Sequence, residues 1–380
     1  MGKRIVYVVG DLSYPNGMSQ VLSQKVNYLA RNTDYELYVV LTEKASLPWF
    51  YQLDERIRSV NFDLNFDDLY RLPLFKRLWL FMKRQRRYKK LFTNYLMEVR
   101  PDVTVSVMRR EINFINNIKD GSKKVGELHF NRSSYRIFEK RWLPAWFNRW
   151  VTRQWQGRRV REIRRLDSFV VLTQEDCSNW SSDVQNVRVI PNPVSFFPDG
   201  SSSCKEKQVI AVGRYTWQKG FDMLIQAWAL VHLRHPDWHL HIYGPGEKDD
   251  FKQQVQREGL EDTLFCEGPT KDVYSRYMES SIYVLSSRYE GFGIVLVEAM
   301  SAGLPCVSFA CPCGPRDIIR DGEDGILVEP NNIEMLADKI CFLIEHDDIR
   351  CQYGAAAKKN VARFKEENIM SLWIDLFESL

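Results

Sequence analysis

No stretch of the 380 residues comes near the roughly 18–20 uncharged apolar residues that a membrane-crossing helix requires, so a bilayer-spanning chain is not expected. The basic start Met1-Gly2-Lys3-Arg4 is followed only by Ile5-Val6-Tyr7-Val8-Val9 before Gly10 and Asp11. That run is too short for a signal-peptide core and reads as a first buried strand. The eight cysteines are scattered, and the one close pair, Cys311 and Cys313, lacks the spacing and partners of a zinc site. Reduced thiols in a cytoplasmic enzyme, with no bound metal, are therefore expected. No Gly-x-Gly-x-x-Gly follows Ile5–Val9, which disfavours a Rossmann dehydrogenase. Neither an internal repeat nor a low-complexity tract is present. Proline (15) and glycine (20) are at ordinary levels, and 27% charged with 13% aromatic residues excludes a disordered chain. At 44% apolar the chain has ample material for a core, and its length favours two domains over one.

Charge is present but unevenly spread. Residues 1–190 hold 34 Lys and Arg against 20 Asp and Glu, a net of +14, whereas residues 191–380 hold 19 against 29, a net of −10. The excess is local: residues 71–100 carry ten basic residues and one acid, Glu98, among Phe75, Leu78, Trp79, Phe81 and Met82. Residues 132–165 carry eleven basic residues and two acids, interleaved with Trp142, Trp146, Phe147, Trp150 and Trp155. Basic residues mixed with aromatics at helical spacing are what an interfacial helix on an anionic membrane carries. A solvated face backing onto core aromatics is the plainer reading, and nucleic acid, which also suits basic stripes, is the least favoured.

Apolar, β-branched runs predict strands at 5–9, 36–41, 60–64, 103–107, 124–128 and 168–172, with helices near 18–31, 74–98 and 144–165. Runs so continuously apolar belong to parallel sheets covered on both faces. Ile190-Pro191-Asn192-Pro193 and the polar Asp199-Gly200-Ser201-Ser202-Ser203 then mark a linker. The alternation restarts with strands at 208–212, 239–243, 264–266, 282–285, 305–309 and 325–328, and helices near 221–235, 248–258, 295–302, 333–345 and 348–361. The expected fold class is α/β with two Rossmann-like, doubly wound domains, 1–192 and 193–365, facing each other across a ligand-binding cleft. A last helix within 366–380 is expected to cross back to the first domain.

The chemistry-bearing residues concentrate in the second half. Gly213-Arg214 closes a strand and Lys219-Gly220 opens a helix, a placement equipped to hold a diphosphate, although such a basic pair can also be merely solvated. Glu290-Gly291-Phe292-Gly293-Ile294-Val295-Leu296-Val297-Glu298 then sets two carboxylates around a glycine-rich turn. The N–H groups after Gly293 form a helix-start anion site. Glu298, a turn into that helix, suits a ribose diol, and Glu290 is free to face a ligand. A capping Glu and a solvent-side Glu would give the same pattern.

In one order the chain shows Gly213-Arg214…Lys219-Gly220, Gly244-Pro245-Gly246, Glu290-x7-Glu298-Ala299-Met300-Ser301-Ala302-Gly303-Leu304-Pro305, Cys313-Gly314-Pro315-Arg316-Asp317 and Asp321-Gly322-Glu323-Asp324-Gly325. The set resembles the retaining, nucleotide-sugar-dependent glycosyltransferases of family 4, which have the GT-B fold. The resemblance is strong over 205–365 and looser elsewhere. It implies that Arg214 and Lys219 grip the donor diphosphate, Glu298 holds the ribose and Glu290 faces the donor sugar. Gly244 and the backbone near Phe292, Gly293, Ile294 and Val295 line the donor. His129, after Glu127-Leu128, is implied as a donor-sugar contact, although a lone histidine is more often structural. The family's double glycine after the first strand is here Asn16-Gly17-Met18-Ser19, leaving Gly17 to approach the donor phosphate. Arg109, Arg110 and Asn131, at neighbouring strand ends, are candidates for acceptor phosphate contacts.

The expected activity is retaining transfer of a hexose, galactose or glucose type favoured, from a UDP-sugar co-substrate, with no cofactor or metal required. The acceptor is expected to be a lipid-linked or oligosaccharide glycan in surface polysaccharide or lipopolysaccharide assembly. An anionic membrane surface is the expected partner of residues 71–100 and 132–165, nucleic acid is not, and the location is the inner face of the cell membrane. Retention with two carboxylates about 5 Å apart has no assignable pair, so front-face transfer is favoured over a nucleophilic Glu290. A soluble storage-glucan or small-glycoside synthase, and a non-catalytic nucleotide- or RNA-binding protein, stand as alternatives.

Overall fold

The near-continuous apolar runs form two wholly parallel sheets in a computed structural model of the chain, which describes residues 2–14, 16–132 and 144–380. The first series is β1 (Arg4–Val9), α1 (Gly17–Asn32), β2 (Glu36–Leu41), β3 (Arg58–Asn61), α2 (Leu74–Val99), β4 (Val103–Ser106), β5 (Lys123–Glu127), α3 (Ala145–Ile163), β6 (Ser168–Val171), α4 (Gln174–Ser181) and β7 (Val187–Val189). The second opens with β8 (Gln208–Val212), α5 (Phe221–Arg234), β9 (His239–Tyr243), α6 (Asp249–Arg257), β10 (Leu264–Cys266), α7 (Val273–Met278), β11 (Ile282–Leu285) and α8 (Ile294–Ser301). It closes with β12 (Cys306–Phe309), α9 (Pro315–Ile318), β13 (Gly325–Val328), α10 (Ile333–Glu345), α11 (Asp347–Val361) and α12 (Glu366–Ser379). One compact unit comprises Met1–Leu172, Asp176–Ile190 and Met370–Leu380, the other Thr173–Glu175 and Pro191–Ile369.

The first sheet has the order β3-β2-β1-β4-β5-β6-β7 and the second β10-β9-β8-β11-β12-β13. In each, chain progression reverses at one place: between β1 and β4, and between β8 and β11. Loops leaving the carboxyl ends there diverge, opening the crevice where doubly wound sheets hold ligands. Strands β1, β4, β6, β11 and β12 are buried almost throughout, whereas the edge strands β3 and β7 are not; Ile5, Val6 and Tyr7 in β1 and Val209 and Ile210 in β8 are fully enclosed. The second core gathers Leu224, Ile225, Trp228 and Val231 of α5 against Val209, Ala211 and Ile242, with Leu336 and Ile340 of α10.

Some details differ from the sequence reading. The third strand runs over Arg58–Asn61 rather than 60–64, because Asp63 and Asn65 take left-handed conformations (φ 49° and 48°) that interrupt the extended backbone, although Phe62 and Leu64 still donate to the Leu41 and Thr42 carbonyls. Short β7, α4, α7 and α9 lacked a readable period. Helix α2 is divided: Tyr88, Phe92 and Leu96, at four-residue intervals, are buried, whereas Phe75 is 88% and Trp79 58% exposed. The core-aromatic reading thus holds for the second half of the helix, and the first half leaves apolar side chains exposed among its basic residues. On α3, Trp146, Trp150 and Trp155 are exposed. Trp142 and the rest of 133–143, and the side chain of Phe147, lie outside the described residues. All eight cysteines are free.

Candidate active site

Two loops leave adjacent strands, one after β8 and one after β11, and they are stitched together. The Arg288 N–H donates to the Gln218 carbonyl (2.8 Å), Gln218 Nε2 to the Tyr289 carbonyl (2.9 Å) and Ser286 Oγ to the Lys219 carbonyl (2.9 Å). Gly220 is required at this seam: it sits at φ 63°, and a Cβ there would lie 2.1 Å from the Ser286 carbonyl oxygen.

The stitching sets the charged groups. The Lys219 stem lies along Gly213, and its Nζ is 2.6 Å from Glu290 Oε1. Ser287 Oγ donates to the same oxygen at 2.6 Å. Arg214, one residue past Gly213, is exposed and makes no ion pair among the described residues. Gly244 donates its N–H to the Gly268 carbonyl at 3.2 Å, and the Tyr215 N–H donates to Pro245 at 2.9 Å, fixing the neighbouring loop.

The glycine-rich turn is clasped from the other side by the loop after β12. The Glu290 N–H donates to the Pro312 carbonyl (2.8 Å) and the Cys313 N–H to the Glu290 carbonyl (3.0 Å). Gly314, at φ 115°, sits so close that a Cβ would be 1.8 Å from the Phe292 oxygen. Phe292 is buried edge-on against Phe364, with ring centroids 5.5 Å apart. Helix α8 begins just after Gly293, so the first amides, of Ile294 and Val295, have no acceptor within the helix and suit an anion. Glu298, one turn in, is buried; Ser195 Oγ donates to its Oε1 at 2.7 Å and Tyr277 Oη to its Oε2 at 3.5 Å. Burial pushes its carboxyl up to about 7, against the lowering effect of those hydroxyls.

The second unit thus brings Arg214, Lys219, Gly244, Glu290, Phe292, Gly293, Ile294, Val295 and Glu298 onto loops at neighbouring strand ends. Ser195, Tyr277 and Ser287 hold the two glutamates but carry no motif of their own: Ser195 and Tyr277 are distant in sequence from Glu298, and Ser287, three residues before Glu290, is an ordinary loop serine.

The remaining candidates lie in the first unit. Gly17 is the first residue of α1, and Asn16, standing where the family has a glycine, is its N-cap, accepting from the Ser19 N–H at 2.9 Å. Arg110 is bound internally, 2.9 Å from Asp67 and 3.3 Å from Glu43, so much of its charge is neutralised locally. Arg109 packs over Gly10 and lies 3.8 Å from Asp67. Asn131 is buried. The His129 side chain is nearly buried, its Nε2 3.2 Å from Glu127 Oε1. Glu127 also receives Lys25 Nζ at 2.6 Å, both side chains being 1% exposed. Burial opposes the charge on Glu127, but Lys25, with His129 beside it, holds the carboxyl down at about 2. Lys25 also sits 3.8 Å over the Trp373 ring of α12. This buried pair was not anticipated, since Lys25 reads as one polar position of an amphipathic helix. Among the described residues no group of three or more His, Cys, Asp or Glu could hold a metal ion, and no helix is long and apolar enough to cross a membrane.

Residues 196–360 match the family model described as Glycosyl transferases group 1. The amylovoran biosynthesis glycosyltransferase AmsD of Erwinia amylovora is 33% identical over 220 residues, 55% of this chain and 62% of the relative. The match spans about three fifths of the length of AmsD and of an uncharacterized Haemophilus influenzae glycosyltransferase, and 24–45% of several longer curated relatives. Among solved structures, sucrose-phosphate synthase from Thermosynechococcus elongatus superposes with a TM-score of 0.80 at 17% identity, over the full length of both chains. The lipopolysaccharide outer core galactosyltransferase WaaB does so with a TM-score of 0.74 at 19% identity, over 99% of this chain and all of the other. The fold is GT-B.

Proposed function

From a chain with a GT-B fold and a group 1 glycosyltransferase segment over residues 196–360, we propose an enzyme that transfers a hexose from a UDP-sugar to a glycan acceptor with retention of configuration. The observation carrying this reading is the meeting of Lys219 and Glu290 at 2.6 Å, beside an exposed Arg214 and ahead of the α8 amides. Breaking the anomeric C–O bond places a further negative charge on the already anionic departing diphosphate and positive charge on the sugar. Arg214, Lys219 and the Ile294 and Val295 amides stabilise the former, and such donors are each worth about 10²–10³ in rate. Glu290 faces the sugar, and Glu298 accepts from the ribose hydroxyls. The acceptor oxygen attacks on the face that UDP leaves, and its proton passes to the departing phosphate oxygen. Glu290, already engaged by Lys219 and Ser287, does not serve as the nucleophile in this scheme. His129 contributes a further donor-sugar contact, Gly17 approaches the donor phosphate, and Arg109, Arg110 and Asn131 serve the acceptor. No metal ion is required.

The sugar is of galactose or glucose type, and the acceptor is a lipid-linked or membrane-associated glycan of surface polysaccharide or lipopolysaccharide. The likeness to an amylovoran biosynthesis glycosyltransferase and a lipopolysaccharide outer core galactosyltransferase supports that class. The exposed Phe75, Leu78, Trp79 and Met82, set among Lys76, Arg77, Lys83 and Arg84, suit an anionic membrane surface. The decisive experiment incubates the purified protein with UDP-galactose and UDP-glucose plus oligosaccharide or lipid-linked acceptors and measures UDP release. Release that survives a chelator, and falls at least ~10³-fold in the Arg214→Ala/Lys219→Ala double variant with loss of UDP affinity, is expected. Turnover and affinity that both survive the double substitution overturn the assignment.

A further inference from the structure

Between Arg214 and Lys219 the loop after β8 raises an indole that the donor site does not use. Trp217 is 68% exposed, unusual for the largest apolar side chain. It is nonetheless held. The Arg288 guanidinium lies 4.6 Å over its ring, donates to its carbonyl at 2.6 Å, and is pinned by Asp222 Oδ1 and Oδ2 at 2.9 and 2.6 Å. One face of the indole is thus covered by a cation fixed in place, and the rotamer is set before any ligand arrives. Tyr289 stands beside it, ring centroids 6.4 Å apart and planes at 53°, so the two rings form an angled trough. Both rings adjoin the proposed chemistry: Tyr289 precedes Glu290, and Trp217 is two residues from Lys219.

We propose that Trp217 and Tyr289 form a stacking subsite for a pyranose ring of the glycan acceptor. A hexopyranose presents a patch of C–H bonds on one face and hydroxyls at its rim. Rigid aromatic faces recognise the patch, and nearby polar groups recognise the rim. A ring held by a bidentate Arg–Asp clamp loses little freedom on binding, which favours affinity from a shallow surface. Asp222 and Arg288 act as positioning residues, and the two rings make the contact. This subsite rests on the transferase reading for the identity of its ligand, but its binding can be measured without turnover.

The test measures dissociation constants of glucose- and galactose-containing tetrasaccharides and, separately, of UDP, for the wild type and for Trp217→Ala, Trp217→Phe and Tyr289→Ala. Saccharide affinity is expected to fall on the order of tenfold in Trp217→Ala and to be largely rescued in Trp217→Phe, with UDP affinity within about twofold of wild type. In the transfer assay the same loss should appear in the acceptor KM rather than in kcat. The proposal is overturned if the wild type binds none of the saccharides, if Trp217→Ala leaves their affinity unchanged, or if UDP affinity falls instead, which would give the rings to the base. A wild type that binds saccharides through Trp217 but releases no UDP sinks the transferase reading and leaves the subsite standing.

Discussion

Glu298 is a carboxyl whose burial makes it titrate near neutrality, at about 7 rather than in the usual carboxylate range. The sign of the consequence is fixed: the unfolded chain releases this proton at lower pH than the folded chain, so the folded state is favoured at low pH and loses that advantage as pH rises towards 7. Thermal melts of wild type and Glu298→Gln across pH 5 to about 8 should therefore show the wild type losing ground to the variant as pH increases. A difference independent of pH would remove the buried proton from the account. Gly314 is a second single-residue lever. Its left-handed φ of 115° and its approach to the Phe292 carbonyl leave no room for a methyl group, so Gly314→Ala must push the 290–293 turn away from its position. Transfer is expected to drop about 10²-fold, the scale of an ångström-level misplacement, while the melting transition stays cooperative. Both residues stood out in the sequence as parts of motifs. Their supports did not: Ser195 is 103 residues from Glu298, and only the folded chain brings them within 2.7 Å.

Elements were legible where they were long and periodic. Helices α1, α2, α5 and α10 and the interior strands β1, β2, β8 and β9 carry continuous apolar runs or clean helical spacing, and their bounds follow closely. Edge strand β7, three residues long, and the one-turn helix α9 carry too few positions for any period to form. The packing of α12 was the less readable part. Its buried Trp373 and Phe377 lie against Lys25 and Tyr7, closing over the Lys25–Glu127 pair. Replacing Lys25 by methionine would leave the Glu127 carboxylate buried without its cation. A loss of about 3–5 kcal/mol in denaturant unfolding of the first unit is expected. The double variant Lys25→Met/Glu127→Gln should recover part of it, and a single variant as stable as wild type would show the pair to be dispensable.

For the whole molecule, the partition of charge is the feature with the widest reach. The first 190 residues carry a net +14 and the remainder a net −10. Helix α2 exposes Phe75 and Trp79 beside its lysines and arginines, so the proposed attraction to an anionic surface and the insertion of rings at headgroup depth would act at one place. Cosedimentation with phosphatidylglycerol-containing vesicles is expected in low salt and substantially weaker at about 0.5 M, where exposed charges are screened within a few ångströms. The Phe75→Ser/Trp79→Ser variant should bind about tenfold less tightly, at roughly 1.4 kcal/mol, with UDP affinity read in parallel as a check on the second unit. Equal binding to neutral and anionic vesicles would sink the electrostatic part. At this scale the α/β class and the two-sheet plan were open to reading, because parallel sheets write themselves as uninterrupted apolar strands.

The placement of Met370–Leu380 in the first unit has a consequence for biogenesis. Those residues emerge from the ribosome only after the entire second sheet has been translated, so the amino-terminal half must wait, its Tyr7 and Lys25 uncovered, for a segment made hundreds of codons later. The first unit therefore cannot be completed strictly in chain order, before the second sheet has been made.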